Sequence, residues 1–234
     1  MGPASCRPAP RARCPLHERE KTMKVGVLGS GEVAKVLAAG LVKHGHLVQV
    51  GTRAPSKLAE WARQQPSLSV GTFSEAASFG ELVVLAVKGT AALEALALAG
   101  ASPLTGKTVI DTTNPILDAA PVHGVLNYFT GPNESLLERL QHAFPDVHFV
   151  KAFNSVGSAC MVNPQFAGGR PTMFICGNHA PAKAVVRGVL DQFGWESADM
   201  GMAEAARAIE PLCMLWCIPG FLRKDWVHAF KLLT

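Results

Sequence analysis

The stretch that decides the fold is residues 24–51, which read KVGVLGSGEVAKVLAAGLVKHGHLVQVG. The apolar run at 24–28 predicts a buried strand, and the apolar spacing over 33–44 predicts a helix closed by a glycine. A second apolar run at 47–51 predicts another strand. Strand, glycine turn, helix and strand within about 30 residues is the pattern of a βαβ nucleotide-binding unit.

The turn of this unit carries the motif Gly-x-Gly-x-x-Ala at residues 29–34. Gly29 permits a tight turn, and Gly31 has no side chain to keep the backbone away from a pyrophosphate. Ala34 lets the helix pack close to the strand, and the amides at the helix N-terminus attract an anion. The turn lies between a strand and a helix, so we expect it to bind a nucleotide.

The end of the second strand predicts which dinucleotide binds. An NAD site has an acidic residue here that accepts from the ribose 2′-hydroxyl. This chain has Thr52, Arg53 and Lys57 instead, with no acid between them. A guanidinium and an ammonium suit a 2′-phosphate, and one charge-assisted contact of about 1.5–3 kcal/mol would favour NADPH roughly 10- to 100-fold. The alternative is that Arg53 and Lys57 only line a solvated helix start.

Apolar runs and helical patterns continue to alternate after this unit. Strands are predicted at 68–71, 81–87, 108–111 and 147–151, with helices at 89–98 and 135–144. This alternation predicts an α/β fold with a Rossmann-type, doubly wound parallel sheet. Ligands bind at the carboxyl ends of such strands, so the site is expected at three polar turns. These turns are residues 88–89, 112–115 and 152–155.

A short strand-helix extension is predicted to follow the sheet. Strands are expected at 172–176 and 195–198, and a helix at 180–193. Two apolar helices are expected at 203–216 and 222–232, broken at Pro219-Gly220. We expect the part from about residue 200 to form a helical cap over the cofactor site or a dimer contact.

Composition and charge exclude several classes of protein. Lys and Arg number 22 against 18 Asp and Glu, a formal net charge of +4. Residues 1–22 hold +3 of that charge, so residues 23–234 are nearly neutral and predict no nucleic-acid binding. No apolar run approaches the ~20 residues of a membrane helix, and no secretory signal is present, so a cytoplasmic protein with no membrane contact is expected.

The first 22 residues are expected to be a disordered tail outside the fold. They contain four prolines and no hydrophobic period. Cys6, Cys14 and His17 do not have the spacing of a zinc site, so no metal is expected. The folded nucleotide-binding domain is therefore predicted to span residues 23–234.

Five motifs follow one another in order along the chain. They are Gly29–Ala34 with Gly51-Thr52-Arg53, Asp111–Pro115, Val150–Ser155, Met173–Gly177 and Ile209–Leu212. In this order they resemble the family of NADP oxidoreductases dependent on coenzyme F420, over nearly all of residues 23–234. The segments KAFN and FICGN also resemble the oxidoreductase domain of six-transmembrane metalloreductases.

The resemblance implies an NADPH-dependent enzyme that exchanges a hydride with a flavin-like acceptor, F420, FMN or FAD. It implies that NADPH lies on the first βαβ unit, with Thr52, Arg53 and Lys57 at the 2′-phosphate. The acceptor would stack on the nicotinamide near Val87, Asn114, Asn154 and the turn that follows Asn154. Hydride passes directly between rings, so no catalytic side chain is obligatory, and Asn114 and Asn154 are the candidates. The full set of implied cofactor-binding residues is Gly29, Ser30, Gly31, Glu32, Val33, Thr52, Arg53, Lys57, Val87, Lys88, Asn114, Pro115 and Asn154.

Several readings remain open from the sequence. The chain departs from archaeal family members at Lys88-Gly89 and at residues 153–155, so the acceptor can be a flavin, a deazaflavin or a compound reduced through a flavin. Residues 85–88 also resemble pyrroline-carboxylate reductases, with Lys88 as a possible acid in an imine reductase. A third alternative is an NADPH sensor without turnover. A homodimer is implied by the resemblance.

Four further side chains invite interpretation. Lys151 ends an apolar strand and needs a partner if it is buried. Asp111 is expected either to pair with it or to cap the following turn. Cys213 and Cys217 are expected to be small buried apolar groups, not ligands.

Overall fold

The computed structural model describes residues 22–233. The predicted disordered tail and its Cys6, Cys14 and His17 therefore lie outside the described residues, except for Thr22. The described chain forms a parallel sheet of six strands in the order β3-β2-β1-β4-β5-β6. These strands are β1 Lys24–Leu28, β2 Leu47–Gly51, β3 Leu68–Gly71, β4 Leu82–Leu85, β5 Thr108–Asp111 and β6 His148–Lys151.

Helices cover both faces of this sheet, which confirms the predicted Rossmann-type fold. Buried residues of α1 and α7 pack on one face, and those of α3, α4 and α6 pack on the other. The helices are α1 Glu32–Lys43, α2 Ala59–Arg63, α3 Phe73–Phe79, α4 Ala92–Ala99, α5 Ala101–Leu104, α6 Leu136–Ala143, α7 Ala180–Gln192 and α8 Ala206–Arg223.

Helix α3 was not predicted from the apolar pattern. It begins with a capping box, in which the Thr72 hydroxyl accepts from the Glu75 amide and the Glu75 carboxylate accepts from the Thr72 amide. The helix packs so closely on β1 that a Cβ at Gly26 would lie 2.1 Å from the Ala76 carbonyl oxygen. The Thr-x-x-Glu spacing was therefore the sequence signal for this helix.

A second, two-stranded parallel sheet follows the first. It consists of β7 Thr172–Ile175 and β8 Glu196–Asp199, and α7 connects the two strands. One antiparallel bridge between Lys151 and Cys176 joins it to the edge of the main sheet. The predicted strand-helix-strand extension is confirmed, with small shifts at its ends.

The prediction of two C-terminal helices broken at Pro219-Gly220 is wrong. A single helix, α8, runs through both residues and ends where Lys224 adopts a left-handed φ of 58°. Pro219 removes one helical hydrogen bond, but its fixed φ is compatible with a helix. A Cβ on Gly220 would lie 2.2 Å from the ring of Trp226, so this glycine makes room for packing.

Residues 224–233 form no helix, contrary to the predicted helix at 222–232. They return along α8 toward β7, where the Thr172 amide donates to the Phe230 carbonyl. The Trp216 indole donates to the His228 carbonyl at 2.8 Å, and the two side-chain rings stack. The apolar residues that suggested a helix therefore belong to a non-helical segment that packs on α8.

One stretch of the described chain, Ala203–Arg223, is long and apolar enough to cross a membrane by length and composition alone. Core helices of soluble proteins meet the same criterion, and 33% of its apolar window is buried here. The stretch also contains Glu210, whose carboxylate is buried against Lys151. The expectation of no membrane contact stays a prediction.

Candidate functional site

A cavity of about 580 Å³ opens at the carboxyl ends of the strands, where the sequence predicted the site. Its volume is within the range of ordinary ligand pockets. It extends from the glycine turn after β1 to the turn after β5. The cavity is lined by Gly29, Ser30, Gly31, Glu32, Val33, Thr52, Arg53, Phe73, Ala86, Val87, Lys88, Gly89, Ala91, Glu94, Ala95, Leu98, Thr112, Thr113, Asn114, Ile116 and Asp118.

The glycine turn has the geometry that a pyrophosphate requires. Gly29 has a φ of +137°, and a Cβ there would lie 2.2 Å from the Ala86 carbonyl oxygen. A Cβ on Gly31 would meet nothing within 4 Å and would occupy open space. Gly31 is also the N-cap of α1 and provides no side-chain acceptor, so the first-turn amides are left for an external anion. These residues fit the diphosphate of a dinucleotide.

Arg53 lies at one end of the cavity and faces a carboxylate. Its guanidinium is 3.7 Å from Glu94 of α4, and the two side chains are 75% and 61% exposed. Thr52 is buried, and its hydroxyl accepts weakly from the Ala54 amide. Lys57 is exposed on a short turn and does not line the cavity. Thr52 and Arg53 are thus brought together at the cavity, and Lys57 is not.

The other end of the cavity is formed by the turns after β4 and β5. Val87, Lys88 and Asn114 line it, whereas Pro115 and Asn154 do not. The Lys88 ammonium is 2.7 Å from Asp118, and both side chains are largely exposed. Lys88 therefore has a carboxylate partner at the mouth of the cavity.

Asn154 is held against Asn114 just behind the cavity wall. The side-chain amide of Asn114 donates to the backbone carbonyl of Asn154 at 2.8 Å. The side-chain amide of Asn154 donates to Asn114 Oδ1 at 3.2 Å and to the backbone carbonyl of Ile209 at 2.9 Å. Asn154 Oδ1 is buried and has no hydrogen-bond partner among the described residues. The preceding residue, Phe153, has a φ of 61°, a conformation that a non-glycine residue adopts only under constraint. The two candidate asparagines thus form one tightly held unit.

Lys151 is fully buried below this unit and has two carboxylate partners. Its ammonium is 2.7 Å from Asp111 and 2.8 Å from Glu210. Burial alone would lower the pKa of Lys151, but the two carboxylates more than offset this effect and raise it above the ordinary value. Asp111 pairs with Lys151 and also accepts from the Thr113 amide, so both predicted roles of Asp111 are confirmed. Glu210 was not predicted as a partner.

Sequence reasoning also missed part of the cavity wall. The side chains that were not singled out are Phe73, Ala91, Glu94, Ala95, Leu98, Ile116 and Asp118. Phe73 belongs to the unpredicted helix α3, and the others lie in ordinary helical or loop contexts that carry no motif. Among residues 22–233 no group of three or more His, Cys, Asp or Glu side chains could hold a metal ion.

The family model for coenzyme F420-dependent NADP oxidoreductases matches residues 24–115. A solved structure from Arthrobacter sp., assigned as an F420-dependent NADP reductase, is similar over 91% of this chain and 100% of that one. The two chains are 33% identical, with a TM-score of 0.84. The chain belongs to the family of coenzyme F420-dependent NADP oxidoreductases. This membership makes it an NADP-dependent oxidoreductase that binds NADP(H).

Two further similarities help to place this oxidoreductase. The chain is 35% identical to the metalloreductase STEAP3 of Rattus norvegicus over 205 residues, which is 85% of this chain but 39% of that protein. The chain thus spans well under half the length of the curated relatives it matches. An imine reductase of Aspergillus terreus in complex with NADPH4 shares 18% identity and a TM-score of 0.61, a likeness that shows the fold alone.

Proposed function

We propose that this oxidoreductase transfers a hydride between NADPH and a flavin or deazaflavin acceptor. The observation that supports this most is the single cavity that joins the glycine turn and Arg53 to the turn bearing Asn114. A cavity with the glycine turn and Arg53 at one end and the polar side chain of Asn114 at the other suits a dinucleotide whose reactive ring meets a second ring. A sensor that only binds NADPH would not require the part of the cavity that is formed by the turn bearing Asn114.

We infer that the phosphate-binding end holds the dinucleotide as follows. The first-turn amides of α1 donate to the pyrophosphate, and Gly31 leaves space for it. Arg53 and Thr52 hold the 2′-phosphate, with Lys57 contributing charge from the adjacent exposed turn. Arg53 can do so because its partner Glu94 is solvent-exposed and bound at 3.7 Å, a weak contact to exchange.

At the other end of the cavity, the side chains bind and orient the nicotinamide and the acceptor. NADPH supplies the hydride when it is bound. Val87 provides an apolar wall, and Asn114 is fixed by Asn154. Because hydride moves directly between two rings, proximity and orientation supply the catalysis and no proton-transferring side chain is needed.

The acceptor is tested by stopped-flow absorbance at 340 nm with purified protein and NADPH. FMN, FAD, F420 and a ferric chelate are added in turn, the last because of the 35% identity to a metalloreductase. Oxidation with FMN, FAD or F420 supports the proposal, and oxidation with ferric chelate alone favours metal reduction. Tight NADPH binding with no oxidation by any acceptor would refute the proposal and favour a sensor. Asn114→Ala should slow oxidation, whereas Asn133→Ala, at an exposed asparagine, should not.

The assembly and location of the protein are also proposals. We propose a homodimer in the cytoplasm with no nucleic-acid partner. A cluster of exposed apolar side chains on α8 and the following segment supports a dimer, including Leu215, Leu222 and Val227. Light scattering after size exclusion should give twice the mass of the chain, and Leu222→Glu should convert the protein to monomers. A monomer for the unmodified chain would contradict this.

A further inference from the structure

We propose that Glu210, Lys151 and Asp111, hereafter the buried trio, position two asparagines for hydride transfer. These are Asn114 in the cavity wall and Asn154 directly behind it, hereafter the rim asparagines. Asp111 ends β5, Lys151 ends β6 and Glu210 belongs to α8, so the trio joins three separate elements. The inference rests on the proposed function only where it is measured through turnover. The members of the buried trio do not line the cavity, so they act through Asn114 and Asn154.

The trio is closed to solvent, and its charges are paired with one another. The side chains of Lys151 and Asp111 are 0% exposed and that of Glu210 is 2% exposed. Lys151 also donates to the Thr113 carbonyl at 2.9 Å. The trio has one more negative than positive charge, and Glu210 accepts from the first amides of α6, those of residues 136 and 137, at 2.9 and 3.0 Å. The positive end of that helix balances the excess charge.

Each member of the trio is connected to the rim by a short path. Asp111 accepts from the Thr113 amide and hydroxyl at 2.9 and 2.7 Å, and Thr113 precedes Asn114. Lys151 begins the segment that leads through the strained Phe153 to Asn154. On α8, the carbonyl next to Glu210 in sequence accepts from the Asn154 side chain. Both asparagines therefore depend on the same three charges for their position.

Stability alone does not account for such a cluster. Taking three charges out of water costs much of what their attraction returns, and well-packed apolar side chains often serve as well. Apolar side chains would not direct hydrogen bonds to the Thr113 carbonyl and to the N-terminus of α6. The charges add a fixed orientation, relative to α8, of the turns after β5 and β6 that carry Asn114 and Asn154.

The test compares Glu210→Gln with the matched control Glu138→Gln. Glu138 also joins α6 to α8, through an ion pair with Arg207, but this pair is partly exposed, does not line the cavity and has no hydrogen bond to either asparagine. In Glu210→Gln one of the bonds to Lys151 or to the α6 amides must be lost, because the amide nitrogen donates. We expect kcat with NADPH and the active acceptor to fall about tenfold or more, with the NADPH Kd changed less than twofold. Glu138→Gln should change both less than twofold.

A double-mutant cycle tests whether Glu210 acts through Asn154. In an Asn154→Ala background, Glu210→Gln should change kcat less than twofold, because the group that it positions is gone. A further tenfold loss in that background would overturn the proposal, as would equal losses for Glu210→Gln and Glu138→Gln. If Glu210→Gln does not fold, Glu210→Asp, which keeps the charge but shortens the side chain, carries the same expectations.

An NMR measurement separates this proposal from the proposed function. If none of the tested acceptors is reduced by NADPH in the presence of the unmodified protein, hydride transfer to a flavin-like acceptor is refuted. The trio is then judged by the side-chain amide signals of Asn154 and Asn114 in the NADPH complex. Glu210→Gln should shift them and speed their exchange, and Glu138→Gln should not. Unchanged signals in Glu210→Gln would overturn the role of the trio.

Discussion

Replacing Arg53 by alanine should separate NADPH from NADH. A charge-assisted contact to a phosphate contributes about 1.5–3 kcal/mol. In the unliganded protein Arg53 already contacts Glu94 at 3.7 Å. Such an exposed pair contributes about 0.5 kcal/mol, which is lost when Arg53 binds the phosphate instead. The net contribution is about 1–2.5 kcal/mol, so the NADPH Kd should rise roughly 5- to 60-fold. NADH lacks the 2′-phosphate, so its Kd should change less than twofold.

Glu94, whose carboxylate competes with the 2′-phosphate for Arg53, provides the matched variant. Glu94→Gln keeps the size of the side chain but releases Arg53, so it should tighten NADPH binding by up to about fivefold. NADH affinity should not change. Both variants are measured by titrating the quenching of tryptophan fluorescence, at low and at 0.5 M salt. Equal losses of NADPH and NADH in Arg53→Ala would refute the phosphate role, and a Glu94→Gln variant that weakens NADPH would show that Glu94 does not compete.

Four substitutions at other positions have distinct expected outcomes. Gly29→Ala should lower the unfolding free energy by more than about 2 kcal/mol in chemical denaturation, whereas Gly31→Ala should leave it nearly unchanged and weaken NADPH at least tenfold. The pKa of Glu138 is lowered by its arginine partner, so wild-type stability should fall as pH drops below about 4.5, and Glu138→Gln should flatten that dependence. Gly220→Ala should displace Trp226 and shift tryptophan emission to the red.

Local sequence signals predicted the fold and the position of the glycine turn at the cavity. The turn at residues 29–34 works through the conformation of Gly29 and the helix that starts at once after it, both of which are visible in adjacent residues. The strand ends bearing residues 88 and 114 were predicted because parallel strands bring their carboxyl ends to one edge.

The signals failed where contacts depend on distant parts of the chain. The pairing of Lys151 with Glu210 joins a strand to the last helix, and no spacing between them announces it. Glu94 has the appearance of any exposed helical glutamate until Arg53 is found opposite. Pro219 and Gly220 normally end a helix, but here Trp226 fills the space above the bare glycine and the helix continues.

The position of Glu210 has a consequence for folding during synthesis. A ribosome delivers β5 and β6 long before α8, so Asp111 and Lys151 first meet without their third member. Until α8 docks, the first amides of α6 also lack the carboxylate that accepts from them. The nucleotide-binding sheet and the last helix are therefore expected to melt in one cooperative transition and not as separate parts. A chain cut short before α8 would lose the closing partner of its own interior, although every strand of the sheet had already been made.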